Sequence, residues 1–509
     1  MPKYYLLVEA VNIADFVYDT YDISTIRGGS YLLLDAIESL RENFKDRLTP
    51  ISTAASQGLF SFETSDSDID KACPSIRKDV LEYLHKKTDG HTTFLVAIQE
   101  DIPEHFSQVL EILESQIRRQ QWRMPTISVP KPAVTAKECY LDGWRPGVED
   151  YPFESGKVIS AATAFRRRNG IAIKHRLFYE LLKDERYLGQ ISTRDLGELA
   201  TDTSKGILNG KIAFIHLDGN SFGLIRRDYC GTEQDRKDFD QTIQDGFRNS
   251  FLKTLLDQAI ADPDFRVKGS DGKTTLRLEV LLWGGDEMTI VVPAWLGWRV
   301  MRLFYEHARS LQFKDVPLSH RATIIFCHHN APILLIRQLA DDLLVRTKDD
   351  IKAKLDIFPV YQKLNSVERE KLKARLSDHA LGDALHCLVL ESFDLLQGDI
   401  EHFLRNYYKG GNYTDLLIYA GELDIVLKAI HTIQSKVARG KALKIIEALR
   451  DKNIENAKTI TQEIFDLFPV GERGSVQDAV TTLTQAGQRL DRWYLATDLW
   501  DYVLEGAIS

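Results

Sequence analysis

Two acids, Asp286 and Glu287, follow two glycines, Gly284 and Gly285, in the stretch LLWGGDEMTIVVP. Apolar runs on both sides predict a tight β-hairpin with the acids at its tip. Glycine tolerates positive φ and lets a ligand approach the backbone. Adjacent carboxylates at a solvated tip repel each other modestly. A divalent cation removes that repulsion by taking both as hard oxygen ligands. Taken alone, the turn fits a solvated hairpin equally well.

A third acid, Asp218, ends the apolar run of IAFIHLDGNSFG, and Gly219 follows it. In a ferredoxin-like sheet the first strand lies beside the strands of the hairpin. A carboxylate at the end of that strand then meets the carboxylates at the tip, which describes a Mg²⁺–triphosphate site. Singly, Asp218 reads equally well as a turn residue after a strand. Lys348 closes the helical run APILLIRQLADDLLVRTK. It could meet a phosphate as a point charge; in isolation it reads as a cation at a helix C-terminus. His328 and His329 end the strand TIIFCHH, and neighbours on a strand point to opposite faces. They are therefore read as structural or hydrogen-bonding groups. Arg166, Arg167 and Arg168 are read as one solvated helix face, with phosphate or RNA binding as the alternative.

The elements that must position these residues follow from apolar spacing. Residues 1 to about 128 alternate strand and helix signals in a β-α-β-β-α-β order: a strand over Tyr4–Val11, helical spacing through Leu33, Leu34, Ile37 and Leu40, the strand-like LFSF, and further strand and helix runs to Gln121. Pro125, Pro130 and Pro132 mark a break. A connector over 129–205 carries a helix near Ala161–Leu182. A second such unit, 206–397, opens with a strand at Lys211, followed by a helix over Asp235–Ala261, the hairpin, a helix from Trp295, a strand over Ala322–His328 and a helix from Pro332. From 398 to 509 only helices are predicted, with Leu427, Ile430, Ile433 and Val437 as a core stripe. The expected fold class is α+β: two ferredoxin-like, palm-like domains joined by a helical connector, plus an all-helical C-terminal domain.

The bulk properties narrow the function. A chain of 509 residues exceeds one hydrophobic core. A net charge of -9 disfavours wholesale coating of a nucleic acid backbone. The five cysteines, Cys73, Cys139, Cys230, Cys327 and Cys387, form no CxxC pair, so neither a zinc knuckle nor a redox motif is expected. The N-terminus lacks a signal-peptide pattern, and no apolar run reaches the roughly 20 residues of a membrane span. A cytoplasmic protein with no membrane partner is expected.

In this order the motifs resemble the polymerase/cyclase subunit of type III CRISPR effector complexes, within the wider group of GGDEF-type cyclases and palm polymerases. The resemblance covers most of residues 1–395. LDGNSFG resembles the family's first-strand metal motif and WGGDEMTIVVPAW its GGDD hairpin. CHHNAPILLIRQLADDLLVRTK resembles its strand-plus-helix block, and DISTIRGGSYLLLDAI its RGGS helix start. The resemblance implies a nucleotidyltransferase or nucleotide cyclase. It would join nucleoside triphosphates, ATP foremost, into a cyclic nucleotide or oligonucleotide messenger by two-metal catalysis in antiviral defence. Asp218, Asp286 and Glu287 would hold Mg²⁺ or Mn²⁺. Gly219, Gly284, Gly285 and Lys348 would bind the nucleotide, with Arg27 and Ser30 serving a second nucleotide in the first palm. Partners would be RNA-guided effector subunits or guide RNA, or a second copy through the C-terminal helices.

The sequence departs from the family in places. Asn220 stands where many relatives have a second Asp, and GGDE replaces GGDD. Cys139 stands alone where relatives carry a zinc-binding set. STAASQGLFSF lacks acids where the first palm's hairpin would lie. No HD nuclease module precedes the first palm, so that activity is not implied. Two other readings follow from these departures: a non-catalytic palm scaffold, and a signalling cyclase that acts alone.

Overall fold

Tyr4 to Val8 run without a charged residue and are all buried. They form the middle of strand β1 (Lys3–Ala10) in a computed structural model of the chain. The structure describes residues 1–54, 56–65, 69–123, 137–268, 272, 274–355, 365–368, 370–371, 382–391, 400–408 and 416–508. The fold is mixed α and β, in two units. The first comprises Met1–Ile191, Ser221–Asn249 and Val280–Met288; the second comprises Ser192–Asn220, Ser250–Glu279 and Thr289–Ser509.

The first unit continues with α1 (Ile23–Asn43), β2 (Thr49–Ala54), β3 (Gln57–Glu63), α2 (Ile69–Lys87), β4 (Phe94–Glu100) and α3 (Phe106–Arg123). The strands stand in the order β2-β3-β1-β4. β1 is antiparallel to both neighbours, pairing Leu6 with Phe60 and with Ile98. One face of the sheet buries Tyr5, Leu7, Leu59 and Leu95 against Phe106, Val109, Leu113 and Ile117 of α3. That spacing along α3 is the helical period of an apolar stripe.

Helix α1 begins earlier than the RGGS motif suggests. Asp22 caps it, its carboxylate accepting from the Thr25 amide at 2.8 Å. Arg27, Gly28, Gly29 and Ser30 therefore lie inside the helix, and no helix N-terminus is available there as an anion site. The glycines serve packing instead. α1 crosses α4 (Ala161–Lys174), where a Cβ on Gly28 would stand 1.9 Å from the Arg166 carbonyl oxygen.

The same crossing corrects the reading of the arginine triplet. Arg166 is fully buried, and its guanidinium grips Asp19 in a fork, with Nη1–Oδ1 at 2.7 Å and Nη2–Oδ2 at 2.9 Å. Arg167 stands 3.4 Å from Asp22. Only Arg168, exposed and paired with Glu149 at 2.6 Å, fits a solvated face. Cys139 is buried with its thiol 3.8 Å from the Thr163 hydroxyl.

Further along the chain come β5 (Lys211–Gly219), α5 (Phe222–Tyr229), α6 (Glu233–Gln241), a π-helical segment (Thr242–Asn249) and α7 (Ser250–Ala261). The single helix expected over Asp235–Ala261 is thus interrupted by a change of pitch, and the short α5 was not anticipated. The hairpin strands are β6 (Glu279–Gly284) and β7 (Glu287–Pro293). After them come α8 (Gly297–Ala308), β8 (His320–His328), α9 (Ile333–Leu355), β9 (Ala384–Leu390) and β10 (Ile418–Tyr419).

In the second unit the strand order is β7-β5-β8-β9-β10. β5 runs antiparallel to β8, setting Asp218 opposite Arg321 and His216 opposite Thr323. β9 joins β8 in parallel, and β10 pairs antiparallel with β9. β10 is thus a strand within the segment read as helices only. Ile212–Ile215 and Ile324–Cys327 are buried on both faces, which explains their unbroken apolar runs. Gly297 lets α8 lie close on the sheet, since a Cβ there would stand 2.7 Å from that of Ala213. α9 runs past Lys348 to Leu355, so this lysine is inside a helix and not at its end. Its side chain, and most of the charged stretch Asp349–Asp378, lie outside the described residues. Helices cover most of Leu423–Thr484, with Leu427, Ile430, Ile433 and Val437 buried as expected of a core stripe. Among the described residues no helix is long and apolar enough to cross a membrane.

Candidate nucleotide and metal site

The hairpin tip forms as its sequence requires. β6 ends at Gly284, and Gly285 has φ of 55°, in the left-handed region that a side chain rarely adopts. Asp286 and Glu287 follow, both half-buried. Val280–Met288 belong to the first unit, where the tip borders a cavity of about 200 Å³. Phe222, Phe239 and Ile243 supply its apolar wall, and Gln244, Arg248 and Asp286 are among its polar groups. Phe222 and Phe239 meet edge to face, with ring centroids 6.0 Å apart.

Arg248 is the unusual member of this wall. It is only 4% exposed. Its Nη1 donates to the Gly285 carbonyl at 3.2 Å, and its guanidinium lies 5.4 Å from the Trp283 ring centroid. Burial lowers the guanidinium pKa to about 10, and the charges of Asp240, Asp245 and Asp286 work against that shift. Sequence reading missed Arg248, Gln244, Phe239 and Asp240. No motif marks them: Phe239 and Asp240 lie on α6, and Gln244 and Arg248 are placed by the π-helical pitch of Thr242–Asn249.

Asp218 stands near the end of β5 in the second unit, half-buried. The strand neighbourhood expected from sequence is present there, with β5 beside β7. His216, two residues earlier and so on the same strand face, is buried. Its Nδ1 meets Thr289 Oγ1 at 2.9 Å and its Nε2 meets Asp341 Oδ1 at 3.1 Å. Asn220 is committed to the fold: its amide donates to Ser319 Oγ and to the Gly382 carbonyl, both at 2.9 Å. Gly219 ends β5 and is buried.

Arg27 and Ser30 line a cleft of about 10 Å³ with Tyr31 and Trp283, room for about one water. Arg27 is buried and donates to the Gly170 carbonyl at 3.1 Å. His329 uses Nδ1 on the Gly210 carbonyl at 2.9 Å and packs at a tilt against His328 with centroids 4.3 Å apart. This is the hydrogen-bonding role expected of the pair.

No protein-family model matches the chain, and no curated protein matches it by sequence. Solved structures do match. A chain from the Csm1-Csm4 cassette in complex with cA4 aligns at 14% identity and TM-score 0.52, covering 100% of this chain and 70% of its own. A chain from the cassette in complex with pppApApA aligns at 13% identity and TM-score 0.48, with the same coverage. A chain from the cassette in complex with pppApA aligns at 14% identity and TM-score 0.42, covering 70% of this chain. This chain spans about half, 53%, of the length of that last one. The fold is therefore similar to that of a chain of the Csm1-Csm4 cassette; the likeness rests on the cA4 complex.

Proposed function

We propose that the chain is a nucleotidyltransferase or nucleotide cyclase. It joins nucleoside triphosphates, ATP foremost, into a cyclic nucleotide or oligonucleotide in type III CRISPR-like defence. The observation that carries this reading is the cavity beside the GGDE turn. Its two phenylalanines offer the stacking surface that any nucleobase accepts. Pockets for whole drug-sized ligands run from about 300 Å³ upward; this one suits a base, with the phosphates lying out toward the turn. Gly285 leaves the backbone open to them, and Lys348 is the cation that the family resemblance would assign to them.

The strand orders support a palm. β2-β3-β1-β4 is the order of a ferredoxin-like unit, and β7, β5 and β8 repeat its third, first and fourth positions. We infer two such units in one chain.

The donor chemistry fits a hard divalent ion. Asp218, Asp286 and Glu287 are all carboxylates and none is sealed from solvent, as Mg²⁺, which keeps several waters, requires. These three residues would hold Mg²⁺ or Mn²⁺, which when bound neutralises phosphate charge and lowers the pKa of an attacking hydroxyl. The rest of the protein's contribution is positioning. The test is incubation of the purified chain with Mg²⁺ or Mn²⁺ and each triphosphate, with and without RNA and partner subunits, and mass spectrometry of the products. No product under any condition sinks the enzymatic reading.

A second reading, a scaffold that binds nucleotide or RNA without turnover, is favoured by Asn220. Its amide is spent on Ser319 and Gly382, and it offers no carboxylate. That reading expects biological activity to survive Asp286→Ala.

A further inference from the structure

The Gly284–Glu287 turn poses a positioning problem that the strands alone do not solve. A Cβ built on Gly285 meets nothing within 4 Å, so that side of the turn is open. Two adjacent carboxylates at its tip push it toward solvent whenever no cation is bound. Something beneath the turn must oppose this.

The π-helical segment Thr242–Asn249 supplies the group. Such segments are rare, and single π turns recur at functional sites, because i→i+5 bonding changes which side chains share a face. Here α6 starts from a capping box made by Thr232 and Asp235, which fixes its register. The π pitch then buries Ile243, Phe247 and Arg248 together. An arginine buried to this extent normally pairs with a carboxylate. Arg248 instead spends Nη1 on the carbonyl of Gly285, while Asp240, Asp245 and Asp286 act on it only through their charge. Its Nε has no hydrogen-bond partner among the described residues.

We propose that Arg248 is the positioning residue of the Gly284–Glu287 turn, held by the π-helical segment so that its guanidinium ties down the Gly285 carbonyl and sets a fixed positive charge near Asp286. It acts through the turn and carries no reacting atom. The inference rests on the reading of the turn as the nucleotide and metal site.

Amide hydrogen exchange on the full chain tests it without requiring turnover. Arg248→Met should speed exchange of peptides spanning 281–288 at least tenfold, while peptides from β4 and from Arg439–Arg450 keep their wild-type rates. Arg248→Lys retains the charge but not the planar fork, and should restore protection partly. Unchanged exchange at 281–288 in folded Arg248→Met protein overturns the proposal. If Arg248→Met does not fold, Arg248→Lys decides alone: faster exchange confined to the turn supports the proposal, and wild-type exchange there overturns it. If the wild type makes product, Arg248→Met should lower kcat roughly tenfold or more with a smaller change in KM. Equal loss of both overturns it. A wild type that makes no product removes the enzymatic reading but leaves the exchange result decisive.

Discussion

Gly28 of α1 and Gly170 of α4 face each other at a helix crossing: a Cβ on Gly28 would lie 2.7 Å from the Gly170 nitrogen, and one on Gly170 would lie 2.9 Å from the Gly28 nitrogen. The atoms in the way are backbone and cannot rotate aside. Gly28→Ala or Gly170→Ala is therefore expected to destabilise the first unit by about 3 kcal/mol, the upper end of overpacking costs. Nearby Gly29 has ordinary contacts from 3.4 Å outward, so Gly29→Ala should cost far less. Denaturant melts of the three variants check the order.

The same crossing seals Arg166 against Asp19, and Arg145 also reaches Asp19. Removing one partner leaves a buried charge unmatched, which costs about 3–5 kcal/mol. Arg166→Met leaves Asp19 with Arg145 and is expected near the low end of that range. Asp19→Asn should cost a similar amount, because it takes the paired carboxylate from fully buried Arg166, while Arg145 keeps Asp142. The double variant should cost clearly less than the sum, as contacting residues are non-additive. Additive losses in a double-mutant cycle would contradict this.

These two cases also mark how far the sequence could be read. Strands such as Ile212–Leu217 and the GGDE hairpin announce themselves, because apolar runs and paired glycines encode local structure. The strand order was foreseeable only through the β-α-β-β-α-β succession, which points to a ferredoxin-like sheet. Long-range pairings carry no local signal. Nothing in AFRRRNG separates Arg166, wholly buried on Asp19, from Arg168, two residues on and exposed. RGGS reads as a helix start, but Gly28 lies inside the helix and its partner is a helix about 140 residues away. Arg248 escaped for a third reason: its placement depends on a π pitch that spacing rules for α-helices do not contain.

A buried pair in the second unit sets an acid–base balance. Burial raises the Asp383 carboxyl to about 7, although the His320 amide donates to it at 2.6 Å. Burial lowers His320 to about 3. The sign follows from proton binding. Folded Asp383 keeps its proton where the unfolded chain has lost it, so its contribution is present below pH 4 and is lost as pH rises toward 7. His320 works the other way: its contribution is present above about pH 6.5 and is lost as pH falls toward 3. In the wild type the two slopes oppose each other between pH 4 and 6.5. Asp383→Asn removes one and keeps an oxygen for the His320 amide. Relative to wild type, the variant should gain stability from pH 4 to pH 7, by on the order of 3 kcal/mol. Urea melts at the two pH values read the difference. A gap that does not change with pH would show that Asp383 ionises normally in the fold.

The candidate site makes the last expectation. If Asp218, Asp286 and Glu287 hold a cation, neutral isosteres should weaken ion binding without unfolding the chain, since all three are half-buried. Asp218→Asn, Asp286→Asn and Glu287→Gln should each lower product formation at least about 100-fold, the scale of losing one electrostatic contributor in an active site. Asp286→Asn should also weaken binding of Mn²⁺, followed by its paramagnetic spectrum. Restoring a carboxylate at Asn220 separates the two readings of the protein. Asn220→Asp removes the amide that serves Ser319 and Gly382, so it should cost stability. In an enzyme with an incomplete ligand set it should also raise Mn²⁺ affinity. In a scaffold that binds no cation, it should cost stability and leave Mn²⁺ binding absent.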